Sequence, residues 1–303
     1  MKYENWLDIW LKNYVKPISK PRTTELYAQI AARLSATVGN KEIRDLKTMD
    51  LQSAVTDFLT SGNMKTGGRL APSTVNTIIT VMQSSLNAAI AAGFTDQNVA
   101  LDVRRPKITG GKIESFTLAE QRRIEHEATA KDSMFGVVLC LYTGLRIGEL
   151  LALRWQDVNL KTGVISVNST RATSSLAAAE LVEPKTPSSR RQIPVPKKIL
   201  SQLQILAKNK KCAFVVSYRD KPISIREYQR RFSRLLEKLG VPHKGFHALR
   251  HTFATRAIEC GMDVKTLSEI LGHKNATLTL NRYAHSLWEH KTAMMNKLEK
   301  FME

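Results

Sequence analysis

The chain of 303 residues lacks most of the patterns that build metal, nucleotide and disulfide sites. Its three cysteines, Cys140, Cys212 and Cys260, form no CxxC pair, so neither a disulfide framework nor a zinc knuckle is expected. We find no Ser or Cys hydrolase motif, no nucleotide-binding loop and no cluster of Asp and Glu residues, and the last absence argues against a two-metal nuclease. We expect no cofactor and no metal.

Long apolar segments are also missing. No stretch approaches the ~20 apolar residues that a membrane-spanning helix needs. Charged residues interrupt the apolar residues of the N-terminus, which is not typical of a signal peptide. Hydrophobic residues make up 43% of the chain, an ordinary value for globular domains. We therefore expect a folded cytoplasmic protein with no membrane partner.

Positive charge is in large excess. The chain has 46 Lys and Arg against 27 Asp and Glu, which gives a formal net charge of +19 and a pI near 10.0. Residues 1–103 carry only +2, residues 104–112 carry +4, and the remainder carries +13. An excess of this size predicts a polyanionic partner, with nucleic acid the first candidate and an anionic membrane surface the second.

Residues 1–103 are predicted to form a helical domain. Apolar residues recur at helical spacing in four segments, and Pro17 and Pro72 mark the end of the first helix and the start of the fourth. The fourth helix is expected to bury a stripe that runs from Val75 to Ile90. Four helices with short loops predict a compact bundle.

A basic linker is predicted at 104–114. Its proline, paired glycines and four cations favour an extended strap over a packed element. Such a strap can follow a phosphate backbone while two domains grip opposite faces of a duplex. The candidate DNA contacts in it are Arg104, Arg105, Lys107 and Lys112.

Residues 115–303 are predicted to form a second domain, so that the chain is mostly α with a small antiparallel β-sheet (α+β). Helices come first, and they return after residue 197. A turn rich in Pro and Ser places Lys185 at the tip of a hairpin. The predicted β segment comprises 164–167, a polar stretch through Leu181-Val182, and 191–195.

Two arginines, two histidines and a tyrosine of this domain form a metal-free set suited to phosphodiester chemistry. A guanidinium is planar, permanently charged and donates in a fork that matches phosphate oxygens. Nearby positive charge would lower the pKa of a phenol from its usual value of roughly 10 and activate it as a nucleophile. The residues are Arg146, His247, Arg250, His273 and Tyr283.

Taken alone, each of these residues also fits a structural role. His247 fits a capping or core histidine, Arg146 a surface arginine, and Tyr283 a tyrosine of an amphipathic helix. A zinc site is a further alternative, because His247 and His251 are four residues apart. The Glu of an HExxH motif is missing, however, which argues against metal-dependent cleavage.

Three basic residues near the predicted hairpin are further candidates. A basic hairpin tip usually contacts the DNA backbone, but Lys185 is also placed to protonate a departing 5′ oxygen as a general acid. Arg190 and Arg191 are predicted to contact phosphates.

The order of these motifs resembles that of the tyrosine recombinases, and specifically of phage and conjugative-transposon integrases. The combination is highly specific, although no single run is, and it spans most of the second domain. Residues 1–101 resemble the core-binding domain of the family. The matching runs are TGLRIGELLALRW (143–155), PKT (184–186), HALRHTFAT (247–255), LGH (271–273) and RYAH (282–285).

The resemblance implies a site-specific DNA recombinase of a phage or integrative mobile element, located at the nucleoid in the bacterial cytoplasm. Its two domains would close as a C-clamp around double-stranded DNA. Tyr283 would attack the scissile phosphate and leave a 3′-phosphotyrosine link and a free 5′ hydroxyl. Because the link keeps the bond energy, neither ATP nor a catalytic metal would be needed.

The resemblance also assigns the other roles. Arg146 and Arg250 would clamp the non-bridging oxygens, and Lys185 would be the general acid. His247 would handle the proton of the tyrosine, and His273 would hydrogen-bond the phosphate. Two alternatives remain open. One is a DNA-binding protein on a decayed recombinase scaffold, and the other is a topoisomerase that uses the same tyrosine chemistry without joining two duplexes.

Assembly is implied as well. The family acts as a homotetramer on two duplexes and exchanges strands through a Holliday junction. An apolar stripe in the tail would dock on a neighbouring protomer, or else pack on its own domain. Accessory DNA-bending or excision factors are possible partners. Many integrases begin with an arm-binding domain, whereas here Met1 lies almost directly before the first helix. The stripe is Leu287, Met294, Leu298 and Phe301.

The charge distribution predicts DNA binding that weakens steeply with salt. Each phosphate contact should add about −0.9 to the slope of log K against log salt concentration, because bound cations release counterions from the duplex. Fluorescence anisotropy on a labelled duplex between 50 and 200 mM salt, roughly the range in which such contacts are resolved, measures this slope. A flat dependence would exclude the electrostatic interface.

Overall fold

The described residues fall into two compact units. The computed structural model describes residues 1–63, 66–108, 115–171, 181–182, 190–273 and 287–302. Contacts divide the chain into Met1–Gly111 and Lys112–Glu303, a boundary that lies within the predicted linker. The chain is 60% helical with small antiparallel sheets, which confirms the predicted fold class.

The described part of the first unit is built from helices. Proline occupies the first turn of the second and fourth helices, where its missing N–H costs nothing. A π-helix, Leu11–Val15, continues the first helix. The α-helices are α1 (Tyr3–Trp10), α2 (Pro21–Val38), α3 (Thr48–Ser61) and α4 (Pro72–Ala91).

The core of the first unit lies between these helices. Trp6 is fully buried, and its indole N–H donates to the carbonyl of Ser85 at 2.9 Å. The stripe predicted along α4 is buried at Val75 but not at Ile90, which is 37% exposed. The inward position of that last turn is occupied instead by Ala89, which is fully buried.

The start of the predicted linker is fixed to this unit. The backbone N–H of Arg104 donates to Gln52 Oε1 at 2.9 Å. The guanidinium of Arg105 donates to Gln83 Oε1 at 2.8 Å and to the backbone carbonyl of Asn76 at 3.1 Å. At these residues the predicted strap is hydrogen-bonded to α3 and α4, while both arginines stay exposed.

The described part of the second unit combines helices with short strands. Short 3₁₀ turns precede α6 and β1. The helices are α5 (Leu118–Thr129), α6 (Phe135–Thr143), α7 (Ile147–Ala152), α8 (Lys197–Lys208), α9 (Ile225–Lys238), α10 (His247–Glu259), α11 (Val264–Leu271) and α12 (Leu287–Met302). The strands are β1 (Val158–Asn159), β2 (Val164–Val167), β3 (Thr170–Arg171), β4 (Leu181–Val182), β5 (Arg191–Pro194), β6 (Ser217–Tyr218) and β7 (Lys221–Pro222).

The strands pair antiparallel, as predicted. The order of the largest described sheet is β1-β2-β5, and Val167 on β2 lies opposite Arg191 on β5. Strand β2 has the bounds predicted for it, and the strand predicted at 191–195 ends at Pro194. Leu181–Val182, which ends the predicted polar stretch, pairs with β3, whereas the predicted hairpin partner β5 pairs with β2. Strand β5 thus begins with a basic residue beside the buried face of the sheet.

Helix α10 lies in the interior of the second unit. It packs against α6 and α11, and a small apolar cluster joins it to α11 through Ala254, Ile258 and Leu271. Leu249, one turn earlier, is fully buried in the main core. The contacts of α10 therefore bring the ends of α6 and α11 close to its first turns.

The segment that precedes α5 is also attached to α10. The backbone N–H of Phe116 donates to Thr252 Oγ1 at 2.9 Å, and that hydroxyl donates to the carbonyl of Ala248 at 2.8 Å. Both Phe116 and Thr252 are fully buried. A capping box between Thr117 and Glu120 then starts α5.

Replacing Thr252 by valine should destabilise the second unit. The buried N–H of Phe116 would lose its acceptor, which costs roughly 1–3 kcal/mol of unfolding free energy. Urea unfolding of the chain measures the loss. Thr252→Ser keeps the hydroxyl and is the matched control. A Thr252→Val protein as stable as Thr252→Ser would show that this hydrogen bond is unimportant.

Candidate active site

Two arginines from distant parts of the sequence meet at the ends of two helices. Arg146 lies between α6 and α7, and Arg250 lies in the first turn of α10. The guanidinium of Arg250 donates to the carbonyl of Gly144 at 2.8 Å, and that of Arg146 donates to the carbonyl of Gly272 at 3.4 Å. Arg250 thus binds the turn that precedes Arg146, and Arg146 binds the turn that precedes His273.

Both turns depend on glycine. Gly144 ends α6 and Gly272 ends α11, each in the left-handed region, with φ of 64° and 65°. Space is short as well, because an added Cβ on Gly144 would lie 2.6 Å from Phe253 Cδ1. Glycine is the residue that adopts this conformation without steric cost. The carbonyls that accept from the two arginines therefore belong to glycines, and a residue with a side chain would strain both turns.

Arg250 is a buried charge. It is only 3% exposed, and its Nη2 donates to the carbonyl of Leu271 at 2.7 Å and to Nε2 of His273 at 2.8 Å. A guanidinium only donates hydrogen bonds, so Nε2 of His273 is the acceptor and the ring proton lies on Nδ1. The contact fixes both the position and the tautomer of the histidine.

A carboxylate holds the other arginine. Oε1 of Glu149 accepts from Nη1 of Arg146 at 2.8 Å, and Oε2 accepts from the backbone N–H of Arg146 at 2.9 Å. Arg191 donates to the same two oxygens from Nη1 at 3.1 Å and from Nη2 at 2.8 Å. Four donors therefore surround one carboxylate that is 7% exposed.

The electrostatics of this group favour the ionised carboxylate. Burial by itself raises the pKa of Glu149, but the hydrogen bonds and charge of Arg191 and Arg146 outweigh it and lower the pKa to about 2. Arg191 is buried with it, at 6% exposure, whereas Arg146 keeps 37% of its side chain exposed. Both arginines were predicted to bind phosphate, and only Arg146 has access to solvent.

The histidines of α10 pack against one another. His247 is exposed at the start of the helix, and its ring contacts that of His251 edge to face, with centroids 4.5 Å apart. His251 is half-buried. No group of three or more His, Cys, Asp or Glu side chains that could hold a metal ion occurs within the residues that the structure describes.

The structure brings together three of the predicted catalytic residues, Arg146, Arg250 and His273. His247 lies on the same helix as Arg250, three residues earlier. Two predicted catalytic residues and one predicted DNA contact lie outside the described residues, namely Lys185, Tyr283 and Lys112.

The predicted DNA contacts divide into two groups. Arg104, Arg105, Lys107 and Arg190 are exposed. Arg191 is instead buried against Glu149, and this placement does not favour the phosphate contact predicted for it. The burial of Arg191 follows from its register, since it is the first residue of β5 and lies opposite Val167 in the sheet.

Sequence reasoning missed the role of Glu149. The residue stands inside the TGLRIGEL run, three positions after Arg146. The helix α7 begins directly after Arg146, a candidate phosphate-binding arginine. An acidic residue in the first turn of such a helix could have been recognised as the group that orients that arginine.

The tail helix α12 carries exposed apolar residues. In α12, Leu298 is 47% and Phe301 is 87% exposed, while the side chains of Leu287 and Met294 lie outside the described residues. None of the helices that the structure describes is long and apolar enough to cross a bilayer.

Comparison with known proteins identifies the family. Residues 114–290, more than half of the chain, match the model of the phage integrase family. The chain therefore belongs to the phage integrase family.

Relatives and solved structures agree with this result. A tyrosine recombinase XerC-like protein of Caldanaerobacter subterraneus subsp. tengcongensis is 23% identical over 95% of this chain and 80% of its own length. The transposase of transposon Tn916 from Enterococcus faecalis is 30% identical, over 54% of this chain and 45% of its own length.

The fold is also that of solved integrases. The Tn1549 transposon integrase in complex with a circular intermediate DNA superposes with a TM-score of 0.82 at 25% identity, over 98% of this chain and 99% of that one. A lambda integrase dimer bound to a COC′ core site gives a TM-score of 0.74 at 19% identity, over 93% and 95%. The protein is a tyrosine-type site-specific DNA recombinase of the kind that mobile elements encode.

The low pKa of Glu149 predicts a pH-dependent contribution to stability. The pKa of Glu149 is about 2 in the folded protein and about 4.3 in the unfolded chain. Ionisation of Glu149 therefore stabilises the fold by about 3 kcal/mol above pH 5. This stabilisation is lost as the pH falls to 2. Urea unfolding of the parent protein and of Glu149→Gln should therefore differ less at pH 2 than at pH 5. A difference that is constant over this range would contradict the ion-pair geometry.

Proposed function

We propose that the protein cuts and rejoins DNA through a covalent link to Tyr283, with the scissile phosphate held by Arg146 and Arg250. The observation that supports this is the convergence of Arg146, Arg250 and His273 from three separate motifs. Guanidinium groups fixed in advance by carbonyls and by Glu149 need little rearrangement as charge develops on the phosphate oxygens, which is the main requirement of phosphoryl-transfer catalysis.

The reaction balances without a cofactor. The phenol oxygen of Tyr283 attacks phosphorus and its proton passes to His247, while the bond to the 5′ oxygen breaks and Lys185 protonates that oxygen. The product is a 3′-phosphotyrosine and a free 5′ hydroxyl. A 5′ hydroxyl from the second duplex then attacks the phosphotyrosine and releases the tyrosine. Because one phosphate ester replaces another, neither ATP nor a catalytic metal enters the scheme.

The proposed substrate is a double-stranded recombination site, and the proposed active form is a tetramer on two duplexes. The net charge of +19 supports the first part. A lambda integrase tetramer bound to a Holliday junction, which superposes with a TM-score of 0.72, supports the second. Exposed apolar residues on α12, Leu298 and Phe301, are a surface that a neighbouring protomer would cover. Accessory DNA-bending or excision factors remain a proposal from family resemblance.

A suicide-substrate assay tests the nucleophile. A duplex with the candidate crossover site, nicked near the cleavage point, is incubated with protein in EDTA, and the products are separated on a denaturing gel. The parent protein should give a slowly migrating covalent adduct and Tyr283→Phe should give none. Tyr142→Phe removes a phenol that bonds Glu125 elsewhere in the unit and is the matched control. An adduct with Tyr283→Phe would exclude this tyrosine.

The same assay tests Arg250. Arg250→Ala should slow adduct formation by roughly 10²–10³-fold, the usual cost of removing one donor from a transition-state oxyanion, and should affect DNA binding less. Thermal unfolding of the variant shows separately whether the buried site remains folded. Cleavage by a folded Arg250→Ala protein at a rate close to that of the parent would reject the assignment.

A further inference from the structure

One buried side chain joins the two halves of the site. Arg191 donates to both carboxylate oxygens of Glu149, at 3.1 and 2.8 Å, and its Nε donates to the backbone carbonyl of Ile270 at 2.5 Å. The guanidinium also lies against Gly272, where an added Cβ would come within 3.1 Å of Nη1. Arg191 therefore contacts the carboxylate that holds the first arginine and the turn that leads into His273.

The charges around Glu149 show what Arg191 contributes. Arg146 and Glu149 alone would form a neutral pair, with the carboxylate competing with phosphate for the guanidinium. Arg191 donates to the same carboxylate and leaves the group of three side chains with a net charge of +1. Arg146 keeps 37% of its side chain exposed, against 6% for Arg191, so the surplus charge is available at Arg146. A local positive field of this kind attracts and stabilises a phosphate.

We propose that Arg191 is a positioning residue of the cleavage reaction. It neutralises Glu149 so that the charge of Arg146 stays available to the scissile phosphate, and it fixes the turn before His273. The inference rests on the proposed function. It replaces the direct phosphate contact predicted from the sequence, because both Nη groups of Arg191 are bound to Glu149 inside the protein.

Single-turnover cleavage at saturating DNA tests this role. Arg191→Met should lower the rate of adduct formation by roughly 10–100-fold, by analogy with the outer-shell residues that orient metal ligands. It should change the Kd for the duplex by less than about threefold, since a buried group adds little to phosphate contacts. Arg191→Lys keeps the charge without the fork and should be intermediate. Arg122→Met removes one exposed positive charge from α5 and should cleave at the parent rate.

A double variant separates positioning from direct contact. If Arg191 acts by neutralising Glu149, then Arg191→Met combined with Glu149→Gln should cleave faster than Arg191→Met alone, because the uncompensated carboxylate is gone. A phosphate contact predicts no such recovery. The inference is overturned if the double variant cleaves no faster than Arg191→Met, or if Arg191→Met weakens DNA binding while its cleavage rate at saturation is normal.

The protein without DNA gives an independent readout. In Arg191→Met the folded-state pKa of Glu149 should rise toward its unfolded value, so the stability that the parent loses between pH 5 and pH 2 should become smaller. Adding Glu149→Gln to Arg191→Met should then change this pH dependence little. A loss in Arg191→Met as large as that of the parent would overturn the pairing. If Arg191→Met does not fold, Arg191→Lys is compared instead. Absence of an adduct with the parent protein would reject the proposed function, while the pH dependence of stability still tests the pairing.

Discussion

The burial of Arg250 is the constraint on which the rest of the site depends. A permanent charge that is 3% exposed is stable only if its donors are satisfied, and its hydrogen-bond partners include the carbonyls of Gly144 and Leu271 and the ring of His273. Those partners belong to the ends of α6 and α11. The packing of α10 against both helices therefore supplies the acceptors that stabilise the buried charge of Arg250. The same packing positions His273.

A second arrangement of charge surrounds the other arginine. Glu149 is buried between Arg146 and Arg191, and its carboxylate accepts from four donors. One of the two guanidinium groups is almost fully buried and the other is partly exposed. The site thus has a layered structure, in which an inner cation compensates the carboxylate that orients an outer cation. Such preorganisation suits phosphoryl transfer, where the enzyme mainly positions and stabilises charge.

Much of the fold was predictable because its signals are local. Proline at a first helical turn marked the start of α4, and apolar residues at helical spacing marked the face of α4 that is buried at Val75. The predicted inward position of Ile90 was wrong, and the reason lies in tertiary packing. Ile90 fits the apolar period of α4, yet Ala89 takes the buried position in its last turn. The period of a helix gives a face, but only packing determines where along that face the core ends.

The sequence by itself determined the family, the chemistry and most of the candidate catalytic residues, because motifs such as HALRH and LGH keep their residue types and order. Only the tertiary structure decided which of two adjacent arginines is exposed and which is paired with a carboxylate. Arg190 and Arg191 are adjacent and chemically identical, yet one is exposed and the other is paired with Glu149. The reason is physical: Arg191 begins β5 whereas Arg190 lies just before that strand, and which residue meets a buried carboxylate depends on pairing between segments that are distant in sequence.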